Sequence, residues 1–147
     1  MCPVGSTQTG IGESWQLADN LVTVLVVEDD QLIQGIVEEA LTEGGFEAAL
    51  ARSGEEAVTI LQSDPTRFRA IITDVNLAGR LDGWETARRA RELIPDFPVI
   101  YMTGAAADQW TSRGVPNSIL LNKPFAPAQI ITAVAQLLNT SPPTAPQ

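Results

Sequence analysis

The chain has 147 residues with 18 acidic and 9 basic side chains and no histidine, giving a net charge of −9. That balance argues against a face basic enough to displace counterions from nucleic acid, and the missing imidazole excludes serine–histidine triads and the usual zinc hydrolases. Its single cysteine, Cys2, can form neither an internal disulfide nor a thiolate metal cluster.

Residues 1–20 are rich in Gly, Ser, Thr and Gln and read as a disordered tail, leaving one folded domain over residues 21–139. Leu21 to Val27 is β-branched and almost continuously apolar, the pattern of a strand covered on both faces. Leu32, Ile33, Ile36, Val37, Ala40 and Leu41 then recur at helical spacing until Gly44 and Gly45 stop the helix. A second strand is expected over Phe46 to Ala51. Ser53 follows as an N-cap, with Glu56 completing a capping box for a helix whose apolar face is Ala57, Val58, Ile60 and Leu61. Phe68 to Thr73 forms a third strand running into Asp74.

Asp82 caps the next helix, carried by Trp84, Ala87, Ala90 and Ile94 and closed by Pro95. Pro98 to Met102 is the fourth strand, Ala105 to Arg113 a weaker helix ended by Gly114 and Pro116, and Ser118 to Leu121 the fifth strand. Pro127 opens the last helix, with Ile130, Ile131, Val134, Leu137 and Leu138 as its buried stripe. Residues 140–147 hold three prolines and read as a disordered tail. Five strands alternating with five helices predict an α/β fold with a parallel sheet covered on both faces. Sites in such sheets form beyond the carboxyl ends of the strands.

At those ends stand Glu28-Asp29-Asp30, Asp74, Thr103 and Asn122-Lys123-Pro124. Converging carboxylates repel one another unless a cation neutralises them, and oxygen ligands without His or Cys favour a hard ion such as Mg²⁺. Asp30 is open between a third metal partner and a helix N-cap. Lys123 is the only lysine in the chain, a point charge suited to a carboxylate or phosphoryl oxygen. Together these groups suit a phosphoryl site: Asp74 attacks phosphorus, the ion and Lys123 neutralise oxygen charge, and Thr103 donates a hydrogen bond.

In this order and spacing, VLVVEDD at 24–30, IITDVNL at 71–77, DGWE at 82–85, PVIYMTG at 98–104 and LLNKPF at 120–125 resemble the receiver domains of two-component response regulators. The resemblance implies a flavodoxin-like five-stranded parallel sheet of order 2-1-3-4-5. It implies a phosphoryl acceptor at Asp74, served by a sensor histidine kinase or phosphotransfer protein. It further implies Mg²⁺ held by Asp29, Asp74, Glu28 through water and the backbone carbonyl of Asn76, with Thr103 as signalling hydroxyl beside Lys123. Partner binding, including a homodimer, would respond through the fourth helix, fifth strand and fifth helix.

Three departures mark this chain. Leu120 stands where many receivers carry an aromatic residue. The loop after Asp74 is one residue longer than usual, with Ala78 where Pro is common. No output domain is read after the core, so a single-domain regulator in the cytoplasm, or a receiver excised from something larger, is expected, a signalling module and not an enzyme. The alternatives are a haloacid-dehalogenase-type phosphohydrolase and a phosphate sink or docking-only receiver. The hydrolase would need an acid two residues after its nucleophile, where this chain has Asn76.

Overall fold

A computed structural model describes residues 22–140. The five strands are β1 (Thr23–Val27), β2 (Glu47–Ala51), β3 (Phe68–Asp74), β4 (Val99–Thr103) and β5 (Ile119–Asn122). All pair in parallel, in the order β2-β1-β3-β4-β5. The intervening helices are α1 (Gln31–Glu43), α2 (Gly54–Ser63), α3 (Gly83–Leu93), α4 (Trp110–Arg113) and α5 (Pro127–Thr140).

Strand alternation divides the core in two. Leu25, Val27, Ile71, Val99 and Tyr101 point to one face and pack with Ala57 and Leu61 of α2 and Trp84 and Ala87 of α3. Val24, Val26, Ile72, Ile100 and Met102 point to the other and pack with Val37 and Leu41 of α1 and Ile130 and Val134 of α5. Because β1 and β4 are buried at every residue, both strands read as unbroken apolar runs. That is why the parallel sheet was legible in the sequence.

The caps are specific. Asp30 accepts from Leu32 N and Ile33 N and so caps α1, and Asp82 accepts from Glu85 N and caps α3. Ser53 accepts from Glu56 N, but Glu56 returns its carboxylate to Arg52 N at 2.8 Å, one residue before the cap. At the end of α1, Phe46 N donates to Leu41 O and Gly45 N to Thr42 O, with Gly45 at φ +89°. That is a Schellman ending, which favours glycine at this left-handed position.

Two expectations are corrected. The helix expected over Ala105–Arg113 is a 3₁₀ turn at Ala107–Gln109 followed by only four α-helical residues, Trp110–Arg113. No side chain caps its start and none of its residues is buried, so little holds a longer helix together. At the other end α5 includes Thr140, assigned above to a tail. The tails expected at 1–20 and 141–147 lie outside the described residues.

Gly83, the first residue of α3, is fixed by close approach: a Cβ there would lie 2.2 Å from the Asp74 carbonyl oxygen and 2.6 Å from Val75 Cα. Gly35, inside α1, has nothing within 4 Å of a built Cβ. The two positions should respond oppositely to alanine. Gly83→Ala is expected to lower unfolding stability in urea by about 1–3 kcal/mol or more through overpacking, and Gly35→Ala to raise it by about 0.5–1 kcal/mol. Equal effects would show that the approach of α3 to β3 is not tight.

Candidate phosphoryl and cation site

The carboxyl ends of β1, β3 and β5 bring four groups together. Asp74, the last residue of β3, is buried, and its Oδ2 lies 3.2 Å from Lys123 Nζ. Lys123 directly follows β5 and is positioned by its own N–H, which donates to Thr103 O at 2.8 Å. The same ammonium reaches Glu28 Oε1 at 3.4 Å. Glu28 follows β1 and is 1% exposed, an unusual place for a carboxylate. Its backbone is held on both sides: Glu28 N donates to Ala51 O, and Gln34 of α1 donates its side-chain amide to Glu28 O at 3.0 Å.

Three carboxylates thus face one ammonium. Glu28, Asp29 and Asp74 each offer an oxygen within 4.8 Å of the others. Burial is the main reason that Glu28 is pushed up to about 7. The Asp30 N–H and Lys123 oppose that rise and the charge of Asp74 adds to it. A carboxylate held so far above its ordinary range marks a local shortage of positive charge. Hard oxygen donors, mutual proximity and that shortage fit a small divalent cation.

Asp30, left open between two roles, is resolved. Its side chain caps α1 and its N–H donates to Glu28 Oε2 at 3.1 Å, so it serves the cluster through its backbone. Asn76 N donates to Asp74 Oδ1 at 3.3 Å, bringing the backbone of the β3–α3 loop against that carboxylate. Asp29 is exposed and accepts from Ala78 N at 3.1 Å in the same loop.

Thr103, the last residue of β4, is fully buried. Its Oγ1 accepts from Ala105 N at 3.2 Å and Ala106 N at 2.8 Å, leaving its own hydrogen unused by these two bonds. Thr103 and Lys123 are joined through backbone, so the hydroxyl and the ammonium sit on adjacent strands. Leu120 pairs across the β4–β5 ladder with Tyr101. Tyr101 is fully buried with its ring 4.7 Å from that of Trp84 and its hydroxyl accepting from Val115 N at 3.0 Å. The aromatic bulk here belongs to β4, where a hydrogen bond fixes it.

Two supporting residues were not singled out from the sequence. Gln34 is a polar residue within a buried helical stripe, a pattern that could have drawn notice. Glu55 of α2 accepts from Arg80 N at 2.6 Å across 25 residues, and an acid in a helix's first turn gives no sign of such a reach.

The family model for the response regulator receiver domain matches residues 24–135. A response regulator receiver protein from Sinorhizobium medicae has a similar structure, with TM-score 0.79, 42% identity, and coverage of 82% of this chain and 97% of that one. The chain is also similar to the receiver domain of the sensor histidine kinase PA1611 from Pseudomonas aeruginosa, at TM-score 0.71, 25% identity, and 82% and 99% coverage. That protein carries a magnesium ion coordinated in its active-site cleft. The response regulator MprA of Mycolicibacterium vanbaalenii is 30% identical over 124 residues, covering 83% of this chain and 52% of MprA. The chain therefore spans about half the length of the curated relatives it matches. Since the family match runs from β1 into α5 and takes in every residue of the acid–lysine cluster, the chain belongs to the response regulator receiver domain family of two-component signalling.

Proposed function

We propose that Asp74 is the phosphoryl acceptor of this receiver, taking the group from a phosphohistidine on a sensor kinase or phosphotransfer protein in the cytoplasm. The observation that carries this reading is the single lysine of the chain held 3.2 Å from Asp74 Oδ2, at the centre of an acid cluster short of positive charge. An Asp74 carboxylate oxygen attacks phosphorus, the bond from phosphorus to the imidazole nitrogen breaks, and the electron pair leaves on that nitrogen. Lys123 Nζ offsets charge on the phosphoryl oxygens, and the Thr103 hydroxyl donates its hydrogen to one of them. Asp29, Asp74, Glu28 and the Asn76 carbonyl would hold Mg²⁺, which would neutralise charge developing on the transferred group. Asn76 offers an amide where a phosphohydrolase needs an acid, which favours a lasting mark over turnover.

The mark would be read at the surface of α4, β5 and α5, by a protein partner or a second copy of the chain. Thr103 Oγ1 holds the start of the β4–α4 loop through Ala105 N and Ala106 N, so turning the hydroxyl toward a phosphoryl oxygen loosens that loop. Of the four residues of α4 only Trp110 packs against the core, so the loop before it has little else to resist the shift.

Incubation with acetyl phosphate and Mg²⁺ should give a phosphate-retarded gel band on the parent that is absent from Asp74→Asn. Lys123→Ala should cut the rate by ~100-fold, the scale of losing one charge stabiliser of the transferring group. A band of equal intensity on Asp74→Asn would overturn the acceptor assignment.

The raised Glu28 gives a separate prediction. Its unfolded value is 4.5 and its folded value about 7, so the folded state holds a proton that the unfolded chain releases between them. The resulting stability is fully present below 4.5 and lost as pH rises through about 7. In EDTA, the parent should therefore lose melting temperature relative to Glu28→Gln between about pH 5 and about pH 8. Added Mg²⁺ should restore more stability at the upper pH than at the lower. Parallel profiles for parent and Glu28→Gln would contradict the assignment of a protonated Glu28 to the cation-free state.

A further inference from the structure

The loop between β3 and α3 is held by alternate backbone N–H groups, each on a carboxylate from a different element. Asn76 N donates to Asp74 of β3, Ala78 N to Asp29 after β1, and Arg80 N to Glu55 of α2, at 3.3, 3.1 and 2.6 Å. Only the third of these carboxylates lies outside the candidate cation site. Glu55 also shapes the turn beside it. Gly79 has φ +103°, and a Cβ there would lie 2.9 Å from Glu55 Oε1, so the carboxylate packs directly against the loop backbone. Backbone N–H donation, from its own residue first and then from Arg80 and Leu81, holds the Glu55 carboxyl below the usual carboxylate range.

We infer that Glu55 is a positioning residue for the phosphoryl site: it fixes the β3–α3 loop when Asp74 and Asp29 are engaged elsewhere. The inference rests on the function proposed above. When Asp29 turns to a cation and Asp74 carries a phosphoryl group, the carboxylate oxygens that Ala78 N and Asn76 N now use are needed for other bonds. The Glu55–Arg80 contact does not compete with either event. It keeps the backbone of Asn76 within reach of the site while two of the loop's three anchors are redirected. A loop with glycine in the left-handed region at its turn has most need of an anchor of this kind.

The test compares the parent with Glu55→Ala and Glu55→Gln, the latter keeping a side-chain carbonyl that can accept from Arg80 N. Three measurements are made: amide hydrogen exchange at Arg80 and Ala78, Mg²⁺ affinity by calorimetry, and the rate of acetyl phosphate labelling at saturating Mg²⁺. Adding Mg²⁺ with beryllofluoride to the parent should speed exchange at Ala78 while Arg80 stays protected. Glu55→Ala should expose Arg80 to exchange without any ligand, weaken Mg²⁺ binding severalfold and slow labelling by about tenfold, as expected for a displaced site backbone. Glu55→Gln should recover most of each loss, which a general loss of stability would not do. Unchanged Arg80 exchange in Glu55→Ala, or unchanged Mg²⁺ affinity and labelling despite faster exchange, would overturn the inference. If the parent itself takes no label, the proposed function fails, and Arg80 exchange together with Mg²⁺ affinity still decides the role of Glu55.

Discussion

The structure depends on an electrostatic imbalance at the end of its sheet. Parallel strands covered on both faces place their carboxyl ends side by side, and here those ends carry Glu28, Asp29 and Asp74 opposite a single ammonium. Glu28 is buried, so water relieves little of its charge. The fold tolerates this because its backbone answers each carboxylate with N–H groups: Asp30 N to Glu28, Asn76 N to Asp74, Ala78 N to Asp29. These donors are weaker substitutes for full positive charges, so the cluster remains receptive to a cation and to groups that carry one.

Much of this was legible in the residues. Unbroken apolar runs at β1 and β4 and helical stripes between them gave the parallel sheet, since burial on both faces leaves no room for polar alternation. Asp74, Lys123, Glu28, Asp29 and Thr103 were all found by reading the residue that follows each strand. What escaped was set by tertiary packing. Nothing in the residues of α2 shows that Glu55 reaches Arg80, because that contact depends on how α2 sits beside a loop 25 positions away. The shortness of α4 was hidden for a related reason. A run of alanines suits a helix, but of this stretch only Ala106 is buried and only Trp110 packs half-buried against the core, too little to hold a longer helix.

The paired aromatic rings lie on β4 and α3 and not on β5. With Leu120 on β5, the bulk on that face of the sheet comes from Tyr101 and Trp84, packed ring to ring. Tyr101 gives its hydroxyl oxygen to Val115 N, in the turn between α4 and β5, where Trp110 Nε1 and Val115 O meet the Ser118 hydroxyl. This set of hydrogen bonds ties the turn after α4 to the central part of β4. The segment between Thr103 and Val115 is therefore fastened at both ends, with Ala106 and Trp110 as its contacts to the core.

The close seating of Gly83 against the Asp74 carbonyl has a consequence for direction. On that side of β3, helix and strand touch backbone to backbone, so α3 cannot slide without carrying Asp74 with it. On the other side, the stretch after β4 is a single 3₁₀ turn and one short helical turn over an exposed surface. Any shift of α3 must therefore be shared by the backbone of β3 at Asp74.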